Sequence, residues 1–182
     1  MFWLVLSIKL VRAAPTDAYA LRVLTKEYFD YAQLSHAKIS ARIKSKKFEY
    51  WLARIDGKLA GFIDVDFTPV KGLKKNDSPA ELKEALKGTQ KGTPSGTRAV
   101  TQAKILGLAV LPEFRGKGIA KKLIAKAVSR AKARGCKDIF LLVKKDNAVA
   151  QSLYGNLGFS CRGVLAEKLW GKMILLYAKA LQ

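Results

Sequence analysis

Between a predicted strand and a predicted helix the chain reads Arg115-Gly116-Lys117-Gly118-Ile119-Ala120. Glycines at this spacing let the backbone take positive φ and approach a ligand closely, and the turn gathers several N–H groups at the positive end of a helix dipole. Such a turn binds a pyrophosphate. Two common nucleotide sites are excluded by its pattern. There is no GxxxxGK[ST] run for a Walker loop, and the GxGxxG run with an acidic partner on the next strand, which a dinucleotide site needs, is not met. Other reactive residue types are sparse. His36 has no metal-ligand companion and reads as a surface or capping residue, while Cys136 and Cys161 lack any CxxC or Cys/His spacing and read as small core residues. Tyr154, taken alone, is a core aromatic beside Leu153 and Leu157.

The elements that must carry these residues follow from periodicity. Ile8, Leu10 and Arg12 alternate with Lys9 and Val11 as in a strand, and Pro15-Thr16-Asp17 opens a helix with Leu21, Leu24, Tyr28 and Tyr31 on its apolar positions. A second helix over Ser35 to Ser45 places Ile39 and Ile43 on one face. Strands Phe48 to Ile55 and Lys58 to Phe67 flank Asp56-Gly57, a strong hairpin turn. In the second of them Leu59, Gly61, Ile63, Val65 and Phe67 alternate with Ala60, Phe62, Asp64 and Asp66, which predicts two outward carboxylates. Residues 69–101 are rich in Lys, Gly, Thr, Ser and Pro and read as a basic insertion and solvated loop, with Ser78 to Lys87 as a short capped helix. Then come strand Lys104 to Val110, the glycine turn, helix Gly118 to Ala133, strand Asp138 to Val143, helix Asn147 to Leu157, and strands near Ser160 to Leu165 and Lys172 to Ala180. A helix joining neighbouring strands forces a parallel crossover, so the sheet is mixed.

The composition is that of a single globular domain: 182 residues, 49% hydrophobic and 26% charged. With 34 Lys+Arg against 14 Asp+Glu the formal charge is +20, which attracts phosphate-rich or acidic partners without naming them. Eleven of the basic residues lie between Glu113 and Lys145, with Lys122, Lys126 and Arg130 in an i, i+4 row that reads as a solvated face or as a nonspecific nucleic-acid contact. No apolar run approaches the roughly 20 residues needed to span a bilayer. The apolar start Met1 to Leu6 lacks a basic flank and a clean cleavage site, so a cytoplasmic setting is expected.

The turn and its surroundings resemble the GCN5-related N-acetyltransferase (GNAT) family. Arg115-x-x-Gly118-x-Ala120 is similar to that family's coenzyme A pyrophosphate motif. LAVLPEFRGKGIAKKLI (Leu108 to Ile124) resembles its fourth strand, turn and third helix, and Asn147 to Phe159 matches N-x-x-A-x-x-L-Y-x-x-L-G-F. The opening IKLVRAAPTDAYALRVL resembles the first strand and helix, so the likeness covers about residues 7–67 and 102–182. Among subgroups it is most similar to the RimI-like N-terminal acetyltransferases. The implied fold is α/β (α+β): a mixed, mostly antiparallel sheet with two splayed parallel central strands, flanked by helices.

The resemblance also implies a chemistry. Acetyl-CoA is the co-substrate, no metal is used, and the acceptor is a protein or peptide amine, ribosomal proteins included. Main-chain contacts to the cofactor fall to Leu108, Ala109 and Val110; pyrophosphate contacts fall to Gly116, Lys117, Gly118, Ile119, Ala120 and Lys121, with Arg115 adjoining. Asn147 is implied as a cofactor contact, besides being well placed as an N-cap. Tyr154 is implied as the acid that protonates the departing thiolate after aminolysis through a tetrahedral oxyanion. The general base does not carry over. Leu142 and Lys104 occupy the positions where relatives place Glu or His, leaving Asp64, Asp66, Glu49 or a water chain. An α-amine, titrating near roughly 7.7 to 8.0, needs less help than a lysine amine near about 10.4, so a protein N-terminus is the expected acceptor. The alternatives are a small-molecule amine acetyltransferase, disfavoured for polycationic acceptors by like charge, and a non-catalytic module that holds CoA or nucleic acid.

Overall fold

The computed structural model describes residues 7–29, 34–67, 102–165, 168–169 and 171–181. Along the chain run β1 (Ile8–Arg12), α1 (Ala18–Tyr28), α2 (His36–Lys44), β2 (Phe48–Ile55), β3 (Lys58–Asp66), β4 (Ala103–Val110), α3 (Ile119–Ala133), β5 (Asp138–Lys144), α4 (Ala148–Asn156), β6 (Ser160–Val164) and β7 (Ile174–Ala180). The strands form one sheet in the order β1-β2-β3-β4-β5-β7-β6. β1–β2, β2–β3, β5–β7 and β6–β7 are antiparallel, and β4–β5 is parallel. The mixed sheet is the expected one. The expected helix over Ser78 to Lys87, the insertion and the position of Tyr31 lie outside the described residues.

The described residues divide into two compact units, one made of residues up to Asp66 with Leu106–Ala127, the other of Phe67, Gln102–Ile105 and Val128 onward. In the first, Asp56 and Gly57 take φ of 49° and 79°, which matches the twist of the flanking strands and closes the hairpin. Ser35 caps α2 by accepting from the Lys38 N–H at 3.2 Å. The apolar stripes of α1 (Leu21, Leu24) and α2 (Ile39, Ile43) bury against Tyr50, Leu52, Phe62 and Ala109 of the sheet. These are the faces that periodicity marked. One expectation is corrected: Asp64 does not point to solvent but is 6% exposed, because β3 has a strand on either side and both of its faces are covered.

Close packing of β3 on β4 depends on Gly61. A Cβ there would sit 2.6 Å from the Ala109 carbonyl oxygen and 3.2 Å from the Val110 Cα, both main-chain atoms that cannot turn away. Gly61→Ala is therefore expected to cost about 1–3 kcal/mol by overpacking, read as a lowered urea midpoint at unchanged slope.

In the second unit Phe140, Leu165, Ile174, Leu176 and Ala178 form the core, with Leu142 and Leu169 against it. Both long crossovers end in the same way. After α3, Gly135 takes φ of 69°, its N–H donates to the Lys132 carbonyl, and the Cys136 N–H donates to the Ala131 carbonyl. After α4, Gly158 at φ 80° donates to Gly155, and Phe159 donates to Tyr154. Each is a Schellman cap that satisfies the last carbonyls and turns the next side chain inward. Cys136 and Phe159 are buried accordingly. Cys161 was expected in the core and is exposed instead, since β6 lies at the sheet edge with most of its residues open to solvent.

Candidate active site

The glycine turn is built as its residue types demand. β4 ends at Val110, a short 3-10 turn covers Pro112–Phe114, and Gly116 and Gly118 take φ of 74° and 73° before α3 begins at Ile119. A Cβ on either glycine would meet no atom within 4 Å, so conformation, not crowding, is what requires glycine there. The Gly118 carbonyl accepts from the Lys122 N–H at 3.1 Å, the first bond of the helix. The N–H groups of Ile119, Ala120 and Lys121 therefore fall in the first turn, where a helix has no internal acceptor for them. Ile119 is 1% exposed, so only its main chain can serve a ligand. Arg115 folds back to donate from Nε to the Val110 carbonyl at 3.1 Å, and Lys117 Nζ reaches the Glu113 carbonyl at 3.1 Å and lies 5.2 Å over the Phe114 ring. Arg115, Lys117 and Lys121 are all exposed beside the turn.

Upstream of the turn, β4 leaves main chain for a ligand. Its parallel ladder with β5 comprises Ala103↔Ile139, Lys104↔Phe140 and Ile105↔Leu141, whereas β4 itself runs on to Val110. Beyond that ladder successive residues face alternate neighbours. The Ala109 carbonyl lies against Gly61 of β3 and the Leu111 N–H donates to the Ala60 carbonyl, so Leu108 and Val110 turn their main chain to the other side, where the Val110 carbonyl accepts from Arg115 Nε. Ala109 is buried toward α1 and α2, and Leu108 and Val110 are half-buried. The first unit thus brings Leu108–Val110 and Arg115–Lys121 together along one continuous strand and turn.

Asn147 and Tyr154 belong to the second unit. Asn147 caps α4, its Oδ1 accepting from the Ala150 N–H at 3.1 Å, as its type at that position requires. Tyr154, 8% exposed, sits two residues before the end of α4 with its ring 5.8 Å from Phe159 and 6.4 Å from Tyr177. The Schellman cap explains the L-G-F stretch: Gly158 ends the helix and folds Phe159 onto Tyr154. Lys179 Nζ closes this end by donating to the Leu157 carbonyl at 2.7 Å.

Of the five candidate base positions, Asp66 is half-buried at the end of β3 and the other four separate cleanly. Leu142 packs into the core of the second unit, and Lys104 is half-buried. Glu49 and Asp64 are both buried but lie on opposite faces of the sheet, because Glu49 neighbours Tyr50 along β2 and Tyr50 pairs across to Asp64. Glu49 Oε2 accepts from Trp51 Nε1 at 3.0 Å, and Lys126 Nζ stands 4.2 Å over the same indole ring. The basic row is therefore not simply solvated, since Lys126 is spent on Trp51. Burial pushes the Asp64 carboxyl up to about 7, against the lowering pull of Arg42. Burial also pushes the Tyr50 phenol up to about 12, reinforced by the Asp64 charge. The sequence pattern missed this pairing, and it missed Gly107, whose place beside Asp64 no spacing rule signals. Among the described residues there is no cluster of three metal-ligating side chains, and no helix is long and apolar enough to cross a membrane.

A parallel β4–β5 pair that ends early and a glycine turn opening α3 define the acetyltransferase fold class. The profile of the Acetyltransferase (GNAT) family matches residues 16–159, and the chain belongs to that family. It is 39% identical over 59 residues to a [ribosomal protein bS18]-alanine N-acetyltransferase of Haemophilus ducreyi, covering 32% of this chain and 41% of that protein. It is 46% identical over 55 residues to N-alpha-acetyltransferase 30 of Schizosaccharomyces pombe, covering 30% of this chain and 36% of that one. The chain thus spans less than half the length of either relative. Its fold is similar to Arabidopsis thaliana NAA60 in complex with acetyl-CoA, at a TM-score of 0.74 and 22% identity over 96% of this chain and 99% of that one.

Proposed function

We propose that the protein is an acetyl-CoA-dependent N-acetyltransferase whose acceptor is a protein N-terminal α-amine. The observation that carries this reading is the strand-to-turn unit of the first half: Leu108–Val110 with main chain beyond the ladder, then Gly116 and Gly118 at positive φ at the start of α3. The donor set suits the cofactor. The N–H groups of the turn and of residues 119–121 would hold its pyrophosphate, with Lys117, Lys121 and Arg115 adding positive charge, and Leu108–Val110 would pair with its amide-bearing arm. Bound acetyl-CoA supplies the activated acetyl thioester. Tyr154 would deliver a proton to the leaving sulfur, and Asn147 would both cap α4 and contact the cofactor. The relatives' names support an α-amine acceptor, as do the two base positions filled by Leu142 and Lys104.

A cytosolic setting, ribosomal protein acceptors and nonspecific contact with nucleic acid belong to the same reading, the last supported only by charge. The test is transfer of radiolabelled acetyl groups from acetyl-CoA to a panel of peptide N-termini, internal lysines and polyamines at several pH values. Transfer to α-amines exceeding that to lysine, most clearly below pH 8, is the expected result. A clear lysine preference overturns the acceptor assignment, and no transfer to any amine overturns the enzyme reading.

A further inference from the structure

We propose that Asp64 is the group that takes up the proton released by the acceptor amine, acting from where it packs with Gly107, Phe29 and Tyr50. The inference rests on the N-acetyltransferase reading above and names a residue for the position that Leu142 and Lys104 leave without a base.

Three observations in the first unit converge on this carboxylate. A Cβ on Gly107 would lie 2.7 Å from Asp64 Oδ1 and 3.2 Å from Phe29 Cζ, so glycine is what lets the carboxylate rest directly against the main chain of β4. Gly107 immediately precedes Leu108, where the acetyl-bearing arm is assigned. Second, Tyr50, cross-strand partner of Asp64, is 2% exposed, and its buried hydroxyl closes no hydrogen bond of good geometry, although Arg42 and Asp64 both lie near it. A buried hydroxyl left without a partner is costly, and an amine or a bridging water beside Asp64 would satisfy it. Third, the other acids are placed otherwise: Glu49 is on the opposite face with Trp51, and Asp66 is half-buried at the end of β3.

The surroundings suit proton uptake. α2 contributes Arg42, β2 contributes Tyr50, β3 contributes Asp66, β4 contributes only the Gly107 main chain, and the residue after α1 contributes the Phe29 ring, edge-on to Phe62 at 6.2 Å. With the carboxyl raised to about 7, transfer from an α-ammonium titrating at roughly 7.7 to 8.0 is nearly balanced, whereas a lysine ammonium near about 10.4 gives up its proton much less readily. In the step itself one ammonium proton passes to an Asp64 oxygen, directly or through one water. The freed nitrogen lone pair forms the N–C bond to the thioester carbonyl, the C–S bond breaks, and the nitrogen's second displaced proton ends on the thiol. Asp64 then returns its proton to solvent.

The experiment compares wild type with Asp64→Asn by kcat/KM against pH on a peptide α-amine, with acetyl-CoA affinity measured calorimetrically on both. Asp64 accepts the ammonium proton only as a carboxylate, and amine that is already free at higher pH needs no base, so the wild-type profile should rise through about 7 and level off. The variant depends on amine that is already free, roughly a tenth of it at pH 7, so it should lose about 5- to 10-fold there, rise with the amine's own titration at roughly 7.7 to 8.0 and approach the wild-type rate above about pH 9, at unchanged cofactor affinity. A second readout needs no turnover. The folded carboxyl is raised from an ordinary 3.8 to about 7, so its contribution to stability is intact below pH 3.8 and is lost as pH rises through about 7. Asp64→Asn should remove that loss from the melting profile. A variant that keeps the wild-type rate at neutral pH and the same rising limb overturns the inference while leaving the enzyme reading intact. No transfer to any amine by the wild-type chain overturns both.

Discussion

Gly118→Glu is expected to abolish acetyl-CoA binding in a calorimetric titration while the chain stays folded. Two effects add. Gly118 sits at φ 73°, where a side chain is strained by roughly 1 kcal/mol or more. The new carboxylate would stand at the start of α3, where the turn's N–H groups are proposed to hold the diphosphate, and like charges at a binding surface cost several kcal/mol. Together these predict a loss of more than about 100-fold in affinity, which corresponds to about 2.7 kcal/mol. The fold should tolerate the change, because a Cβ at Gly118 meets no atom within 4 Å and an acid at a helix N-terminus is favourable to the helix dipole. Gly118→Ala separates the two effects: it keeps the φ strain without the charge and should lose far less. Unchanged affinity in Gly118→Glu would remove the turn from the cofactor site.

Tyr154→Phe carries the second large expected effect, a fall in kcat of about 100- to 10,000-fold with the acetyl-CoA dissociation constant unchanged. Phenylalanine keeps the ring, and with it the contacts to Phe159 and Tyr177 that close the end of α4. Removing only the hydroxyl should change stability by about 1 kcal/mol, so a rate loss at constant melting temperature reads as chemistry. Tyr154→Ala would confuse the two, since losing a buried aromatic costs about 3–5 kcal/mol. A Phe variant with full turnover would return Tyr154 to the role its packing alone suggests, the aromatic on which the helix cap folds.

Much of this fold is written in short-range pattern. Ser35 and Asn147 precede helices and cap them, Asp56-Gly57 closes a hairpin, and Gly135 and Gly158 end α3 and α4 at positive φ. Ile119, Leu123, Ala127 and Ala131 recur at helical spacing and are all buried. Each of these depends on a residue and its neighbours within about one helical turn, where backbone sterics and local hydrogen bonds decide the outcome. The family follows from the same kind of signal, because the glycine turn and the Asn147 to Phe159 segment are contiguous.

Alternation correctly assigned Asp64 to the face opposite Val65 but wrongly predicted that face to be outward, whereas it is buried. That depended on α1, α2 and β4, which arrive from distant parts of the chain to cover it. The same holds for Lys126, predicted in a solvent-facing row and found over Trp51, and for Cys161, predicted inside and exposed on an edge strand. The sequence by itself thus determined the family, the order of the elements and the local geometry of the glycine turn. Only the tertiary structure decided that Phe29, Tyr50, Asp64 and Gly107 pack together, because burial and the proton affinity of a carboxylate are set by whatever packs around it, and no spacing along the chain encodes that.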